Sequence, residues 1–279
     1  MQQRTLGNRT VSAIGLGGMP MSVEGMGDEA QSIRTIHAAL DAGVTLIDTA
    51  DAYAPDEHTV GHNERLIAKA LSSYAGDVTD VLVATKGGHT RTADGGWGRD
   101  GRPEYLRQAC EASLKALGVD AIGLYQYHRP DPAVPYAESI GALEDLRSEG
   151  KIRLVGISNA TVDQIRETEG ITPLASVQNQ FSPEFRTSEG ELEYCAQQGI
   201  AFLPWSPLGG IGKAGKLSGP FAEVAEARGV SPQQVCLAWM LAKAPVVLPI
   251  PGASRPQSIT DSAAAADLEL TAEELARLD

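Results

Sequence analysis

Residues 45–53, TLIDTADAY, combine a short apolar run with the side chains of Asp48, Asp51 and Tyr53. A carboxylate and a phenol suit proton transfer when a rigid strand positions them beside a loop that a ligand can reach. A structural alternative exists, because an Asp at the end of a strand commonly only caps a loop. The segment is therefore a candidate catalytic centre, and this assignment depends on whether other segments of the chain supply further reactive side chains.

Other short apolar runs also end in polar groups. VLVATK ends in Lys86, IGLYQYH ends in His128, and RLVGISN ends in Ser158 and Asn159. Four predicted strands in succession thus carry acid, base or amide groups at one end. If the strands are parallel neighbours, these groups meet at one edge of the sheet.

Tyr53, Lys86 and Asp48 together suggest acid catalysis. A neighbouring ammonium group lowers the pKa of a phenol from about 10 towards the working pH, so Tyr53 is predicted to donate a proton. Asp48 would keep Lys86 charged and oriented. His128 suits the polarisation or orientation of a substrate oxygen, although a lone histidine at a strand end is as often structural.

The sequence gives little support to hydrolase or metal chemistry. It contains no GxSxG or HExxH motif, and its five histidines lack ligand spacing. Asn159 and Gln178 carry amides that can pair with a carboxamide. Trp205 offers a flat surface on which a ring can stack. The alternative is that Trp205 is a core aromatic residue at the end of a strand.

The elements that would position these groups alternate regularly. A hairpin around Gly7 and Asn8 precedes a strand near 14–19 and a helix that Asp28 caps and Gly43 ends. Further pairs of strand and helix are predicted at 44–48 and 62–74, 80–85 and 103–117, 121–127 and 136–149, 152–157 and 161–168, 175–179 and 188–198, 200–204 and 220–243, and 246–252 and 256–265.

Eight β/α units whose strands are apolar throughout predict a closed (β/α)8 TIM barrel with an N-terminal β-hairpin, in which residues 1–279 form a single domain. The strand ends then converge on one face of the barrel. An open doubly wound sheet is the competing fold. It is disfavoured because GLGGMP, which holds Gly15, Gly17 and Gly18, lacks the third glycine of a dinucleotide-binding turn.

The net charge of −13 repels nucleic acid and anionic membranes, so any anionic cofactor must be held by local donors. No run of about 18 apolar residues occurs, and the first ten residues lack a signal core, so a soluble, cytoplasmic protein is expected. Cys110, Cys195 and Cys236 show no disulfide or metal spacing and are predicted to be buried thiols. No metal site is predicted.

The segment 87–103, GGHTRTADGGWGRDGRP, is too rich in glycine to form core and too long for a simple connection. It is predicted to close over the substrate. Trp97 is its only large apolar residue and is assigned to the substrate pocket together with Met21, which follows the first strand. An exposed tryptophan at a loop tip is the alternative.

Along essentially the whole chain, the motifs IDTADAY, GHNERLIAKAL, VATKGG, HRPDP, GISN, QNQFSP, WSPLGG and IPGASR resemble those of the aldo-keto reductase family in the same order. The resemblance implies a catalytic tetrad of Asp48, Tyr53, Lys86 and His128. It implies hydride transfer from NADPH to an aldehyde or ketone, with Tyr53 as general acid.

The resemblance also implies the cofactor contacts. Ser158, Asn159 and Gln178 would hold the nicotinamide amide, and Trp205 would stack on the ring, where the family more often has Tyr. The pyrophosphate would lie under the loop that contains Ser206, Pro207, Leu208, Gly209, Gly210 and Gly212, with Lys213 or Lys216 as its cation.

At the adenosine end the match is partial. Ser254 and Arg255 are similar to the branch of the family that binds a 2′-phosphate, which favours NADPH over NADH. Asp261 and Ser262 stand where many relatives have a Glu and Asn pair for the adenine. Asp261 is assigned to the cofactor, although this pair differs from the Glu and Asn of those relatives.

Two other functions compete. The same fold serves as a cofactor-binding regulatory subunit of potassium channels, but the intact tetrad argues against it. A cofactor-free isomerase that uses Asp48 and His128 would leave Trp205, Asn159 and Gln178 without a role. The family default predicts a monomer whose partner is a small-molecule aldehyde or ketone.

Overall fold

A computed structural model describes residues 1–23, 28–210 and 217–279. Two antiparallel strands, β1 and β2, form the N-terminal hairpin. The strands in chain order are β1 (Gln3–Leu6), β2 (Arg9–Ser12), β3 (Leu16–Gly17), β4 (Leu46–Asp48), β5 (Leu82–Gly87), β6 (His89–Arg91), β7 (Trp97–Arg99), β8 (Ile122–Tyr127), β9 (Ile152–Ser158), β10 (Leu174–Gln178) and β11 (Ala201–Phe202).

Helices follow the parallel strands around the outside. They are α1 (Glu29–Asp41), α2 (His62–Ser73), α3 (Pro103–Leu117), α4 (Tyr136–Ser148), α5 (Val162–Glu169), α6 (Glu189–Gln198), α7 (Pro220–Arg228), α8 (Pro232–Lys243), α9 (Pro256–Ala264) and α10 (Ala272–Leu278). Asp28 caps α1 by accepting a hydrogen bond from the amide of Gln31, as the sequence predicts.

Seven parallel strands pair in the order β11-β10-β9-β8-β5-β4-β3. Segment 246–252 closes the ring, because it bridges β11 through Phe202 and Val247 and β3 through Gly17 and Gly252. The predicted (β/α)8 barrel is therefore confirmed. The eighth strand is irregular because Pro249 and Pro251 have no N–H to donate to β3.

At the seam between β3 and the last segment, the β3 side supplies two backbone donors, and Ala253 returns one longer hydrogen bond to the carbonyl of Gly17 at 3.4 Å. The amides of Gly15 and Gly17 donate to the carbonyls of Pro249 and Pro251, each at 2.9 Å. On the other side, Leu248 donates to the carbonyl of Phe202 at 2.8 Å. The ring is thus continuous but sparsely bonded between its first and last strands.

The N-terminal hairpin covers one end of the barrel. Leu6 and Val11 are fully buried in one apolar cluster with the barrel residues Leu46, Leu124 and Leu203. This end is filled by aliphatic side chains, which leaves the carboxyl ends of the strands as the open face.

Two elements differ from the predicted pattern. Segment 87–103 contains a second hairpin, β6 and β7, instead of an irregular loop. After α9 the chain forms α10, whose capping box between Thr271 and Glu274 the sequence reasoning overlooked.

Cys110, Cys195 and Cys236 are all buried and unpaired. Within the described ranges, no helix has the length and apolar character needed to cross a membrane. The same residues contain no group of three or more acidic, histidine or cysteine side chains that could hold a metal ion.

Candidate active site

The carboxyl ends of the barrel strands open into a cavity of about 670 Å³. Most of the residues assigned from the sequence line it, namely Asp48, Tyr53, Trp97, His128, Ser158, Asn159, Gln178, Trp205, Ser206, Pro207, Leu208, Gly210, Ser254 and Arg255. The cavity extends from the β6–β7 hairpin on one side to the start of α9 on the other. Its shape suits a long ligand.

Lys86 lies behind this wall, where its ammonium group is completely buried. Nζ donates to Asp48 Oδ2 at 2.7 Å, to the carbonyl oxygen of Thr49 at 2.8 Å and to the hydroxyl of Tyr53 at 3.0 Å. The register of β4 and β5 produces this contact, since Asp48 pairs with Ala84 and Lys86 follows two residues later on the same face. An ammonium has three N–H donors, and all three are used.

Burial opposes the charge on Lys86, but Asp48 and Tyr53 raise its pKa above the ordinary value. Lys86 is therefore charged. Burial also raises the pKa of Tyr53, and this outweighs the lowering by Lys86. The expectation of a net lowered phenol pKa is wrong, because the sequence does not reveal how completely Tyr53 is desolvated. The phenol is protonated at neutral pH and so retains the proton it would donate.

His128 faces Tyr53 across the cavity floor, with ring centroids 5.7 Å apart in an edge-to-face arrangement. Burial, followed by the charge of Lys86, lowers the pKa of His128 well below its usual value. The imidazole is therefore neutral. Its Nδ1 is buried and has no hydrogen-bond partner within the described part of the chain. A neutral imidazole can donate one hydrogen bond to a carbonyl oxygen.

The second oxygen of Asp48 is held from β10. Gln178 Nε2 donates to Asp48 Oδ1 at 2.7 Å, and the same nitrogen lies 3.3 Å from Gln126 Oε1. Gln126 is a site residue that the sequence reasoning missed. The sequence feature that could have identified Gln126 is a polar side chain in an apolar strand, two residues before His128 and on the same face.

Ser158 and Asn159 form a polar shelf at the end of β9. Ser158 Oγ donates to the carbonyl of Gln178 at 2.8 Å, while Asn159 Nδ2 donates to Ser158 Oγ at 2.9 Å and to the carbonyl of His128 at 3.0 Å. Asn159 has a positive φ of 58°, a left-handed conformation that asparagine tolerates better than most residues. Such outliers cluster at ligand sites.

Trp205 lines the cavity with a half-buried ring, and its Nε1 is buried without a hydrogen-bond partner among the described residues. Ser206 follows with a φ of 51°, and Gly209 and Gly210 also have positive φ. This turn presents backbone to the cavity at close range. Lys213, which was assigned to the same loop, lies outside the described residues, as do Gly212 and Lys216.

Arg255 occupies the N-cap position of α9, with Pro256 at the first helical position, and its side chain makes no capping hydrogen bond. Ser254 lies beside it, and Ser258, which was not predicted, also lines the cavity. The positive end of the helix dipole and the guanidinium of Arg255 favour an anion here. The part of the cavity next to α9 can therefore hold a phosphate.

Two assigned residues lie away from the cavity. Asp261 accepts hydrogen bonds from Ser231 at 2.7 Å and Gln234 at 2.6 Å, so its carboxylate ties α9 to the start of α8. Met21 ends a short 3-10 helix and is buried in the same apolar cluster as Leu16 and Ile36. The neighbouring Met19 and Pro20 line the cavity in its place.

These features can be compared with known proteins. Residues 13–279 match the sequence profile of the Aldo/keto reductase family. This chain belongs to the aldo/keto reductase family. An uncharacterized oxidoreductase of Schizosaccharomyces pombe is 38% identical over 280 residues, which cover 98% of this chain and 88% of the relative.

Solved structures agree with the family assignment. A glycerol dehydrogenase of Gluconobacter oxydans has a TM-score of 0.85 at 28% identity, covering 99% of this chain and 93% of its own. An aldo-keto reductase of Klebsiella pneumoniae in complex with NADPH has a TM-score of 0.82 at 30% identity, covering 100% of this chain and 95% of its own.

In this aldo/keto reductase the β6–β7 hairpin forms the outer wall of the cavity. Trp97 stacks on His89, with ring centroids 4.6 Å apart, while the guanidinium of Arg91 lies 3.9 Å from the Trp97 centroid. Trp97 lines the cavity and is still 44% exposed. It therefore combines the two alternatives that the sequence left open. His89, Arg99 and Arg129 also line the cavity and were not predicted.

Proposed function

We propose that this oxidoreductase reduces aldehydes or ketones with NADPH, and that Tyr53 is the general acid. The observation that carries the proposal is the hydrogen bond from the buried Lys86 ammonium to the Tyr53 hydroxyl, with Asp48 bonded to the same nitrogen. A phenol and a charged ammonium in contact at the floor of the cavity support Tyr53 as the proton donor and Lys86 as its charge compensation.

Three features of the cavity fit a nicotinamide dinucleotide. The amide side chains of Asn159 and Gln178 line the same cavity as Trp205, whose ring provides a stacking surface. The positive-φ turn at 206–210 allows close approach by a pyrophosphate. Arg255 and Ser254 provide donors for a 2′-phosphate. The relative from Klebsiella pneumoniae was solved with NADPH, which supports this choice.

When bound, the reduced nicotinamide supplies a hydride to the carbonyl carbon of the substrate. As negative charge develops on the carbonyl oxygen, Tyr53 donates its phenolic proton to that oxygen. Lys86 stabilises the resulting phenolate, and Asp48 keeps Lys86 charged. His128 is neutral, so it orients the carbonyl oxygen by hydrogen bonding without competing as an acid.

The substrate would enter between Trp97 and His128. The β6–β7 hairpin and the residues Met19 and Pro20 give this part of the cavity a mixed wall. Excluding water here strengthens each electrostatic interaction with the reacting oxygen.

Replacing Tyr53 by Phe tests the role of the phenol. The variant loses the proton donor but keeps Trp205, Asn159 and Arg255, so NADPH should bind with nearly the wild-type dissociation constant. We expect kcat for aldehyde reduction, followed by NADPH absorbance, to fall about a hundredfold or more.

A kcat for Tyr53→Phe close to that of the wild type would remove Tyr53 from the mechanism. If the wild-type protein binds NADPH, as seen by quenching of tryptophan fluorescence, and reduces none of a broad set of aldehydes and ketones, the regulatory-subunit alternative is favoured instead.

A further inference from the structure

The side of the cavity formed by the β6–β7 hairpin and the end of β8 is positively charged. Arg99 on β7 and Arg129 directly after His128 both line it. Nη1 of Arg99 donates to the carbonyl of Pro130 at 3.3 Å, and the Arg129 guanidinium lies 5.9 Å from the Trp205 centroid. In the residues that the structure describes, neither arginine forms a salt bridge with a carboxylate.

Several arginines elsewhere on this acidic protein do form salt bridges. Arg102, Arg107, Arg147 and Arg228 each lie within 2.7 Å of a carboxylate oxygen. Arg99 and Arg129 differ from these four in facing a cavity, so they give one side of it a local positive charge on a chain of net charge −13.

Arg99 acts electrostatically on Arg129, and both act on His89. Arg129 is half-buried, and its pKa is lowered by burial first and by Arg99 second. Burial lowers the pKa of His89 to about 4, assisted by Arg129 and Arg99. A bound anion would relieve this repulsion, because it would supply the missing opposite charge.

We propose that Arg99 and Arg129 bind an anionic group of the substrate, so that the preferred substrates are aldehydes or ketones that carry a carboxylate or a phosphate. This inference rests on the proposed carbonyl reduction. Arg129 follows His128 by one residue, so the anion would lie near the reacting carbonyl. A guanidinium can meet either oxyanion with two parallel hydrogen bonds.

The 2′-phosphate of the dinucleotide is assigned to a different part of the ring. Arg99 and Arg129 follow β5 and β8, the third and fourth strands of the barrel, whereas Arg255 follows segment 246–252, the eighth. In an eight-membered ring, the fourth and eighth strands are opposite one another. The two groups of donors can therefore bind two different anions.

The test compares matched charged and neutral substrates. 4-Carboxybenzaldehyde is paired with methyl 4-formylbenzoate, and glyceraldehyde 3-phosphate with glyceraldehyde. We expect wild-type kcat/KM to be at least about tenfold higher for the charged member of one pair or both, since charge-assisted hydrogen bonds contribute differences of this size. Comparing the two pairs shows whether the anion is a carboxylate or a phosphate.

The variants Arg129→Gln and Arg99→Gln should each reduce that preference about tenfold, mainly through KM, and leave the neutral substrates within about threefold. Arg129→Lys keeps the charge but cannot donate two parallel hydrogen bonds, so it should retain part of the preference. Arg153→Gln is the matched control, because it removes the same charge at a distant position. Arg153 is exposed near the start of β9, at the other end of the barrel.

Equal kcat/KM for charged and neutral substrates in the wild type would overturn the inference and leave carbonyl reduction intact. So would an equal loss in Arg153→Gln, which would indicate a general field effect. If Arg129→Gln and Arg99→Gln instead weaken NADPH binding by the same factor, these arginines bind the cofactor and the inference fails. If no carbonyl compound is reduced, the proposed function fails and this inference with it.

Discussion

Lys86 is stabilised as a buried cation by its three acceptors. Desolvating an ammonium costs several kcal/mol unless each N–H is paired with an acceptor. Asp48, Tyr53 and the carbonyl of Thr49 meet that requirement. The dependence is mutual, because Asp48 is itself buried and relies on Lys86 for its counter-charge.

Replacing Lys86 by Met should therefore affect both stability and catalysis. The variant leaves the Asp48 carboxylate buried without a cation, and we expect the free energy of unfolding to fall by about 3 kcal/mol in urea at pH 7. The pH profile of carbonyl reduction should also change, because the phenol loses its charge compensation.

Lys115→Met, on the exposed face of α3, is the control and should leave stability nearly unchanged. Adding Asp48→Asn to Lys86→Met removes the stranded charge and should restore part of the lost stability. Equal unfolding free energies for Lys86→Met and Lys115→Met would show that the pair does not contribute as described.

Single residues were predictable where a polar side chain ends an apolar run. Tyr53, Lys86 and His128 were assigned in that way, and the structure brings them together. Arg129 was missed because an arginine in a loop looks like an ordinary solvated cation, and only the fold shows that it faces the cavity. The pKa of Tyr53 was predicted in the wrong direction because the degree of burial is a property of the folded structure.

At the scale of elements, the start of α9 is the proposed binding site for the 2′-phosphate. Arg255 is the N-cap residue, so its guanidinium and the positive end of the helix dipole can act on the same anion. Its neighbour Ser254 is positioned by α1, since Gln31 Nε2 donates to the Ser254 carbonyl at 2.9 Å.

In Arg255→Ala we expect NADPH to bind roughly ten- to a hundredfold more weakly, because a charge-assisted contact is lost. NADH has no 2′-phosphate and should bind almost as it does to the wild type. Dissociation constants for both cofactors at two salt concentrations test this. An equal loss for NADH and NADPH, or a wild-type preference for NADH, would contradict the assignment.

Elements were predictable where their periodicity was long and regular. The eight β/α units followed from apolar runs and amphipathic stretches, and their count indicated a closed barrel. The β6–β7 hairpin was not predicted because His89, Arg91, Trp97 and Arg99 do not alternate between apolar and polar residues. That hairpin packs through stacked rings and a cation instead of an aliphatic face.

At the scale of the whole molecule, the buried histidines should make stability depend on pH. His128 and His89 both have a lowered pKa in the folded protein, the latter about 4, so they stay neutral where the unfolded chain takes up protons below its ordinary pKa of 6.5. The unfolded state then binds more protons, and the free energy of unfolding falls as the pH decreases below about 6.5.

The double variant His89→Gln/His128→Gln should lose part of this dependence when urea unfolding is measured between about pH 4.5 and 7. His58→Gln, at an exposed histidine, should keep the wild-type slope. Burial raises the pKa of the carboxyls of Asp51 and Glu64, which acts in the opposite sense but equally in all three proteins. Identical slopes in the double variant and the wild type would contradict this account.

The irregular eighth strand also has a consequence before the barrel closes. In a chain whose ring is still open, segment 246–252 is an unpaired edge that another molecule's strand could join. Pro249 and Pro251 occupy the positions that face outward at that stage, and they can offer carbonyl oxygens but no N–H groups. An incoming strand would find only half of a ladder, so the two prolines that thin the seam of the native barrel also protect the folding chain against edge-to-edge aggregation.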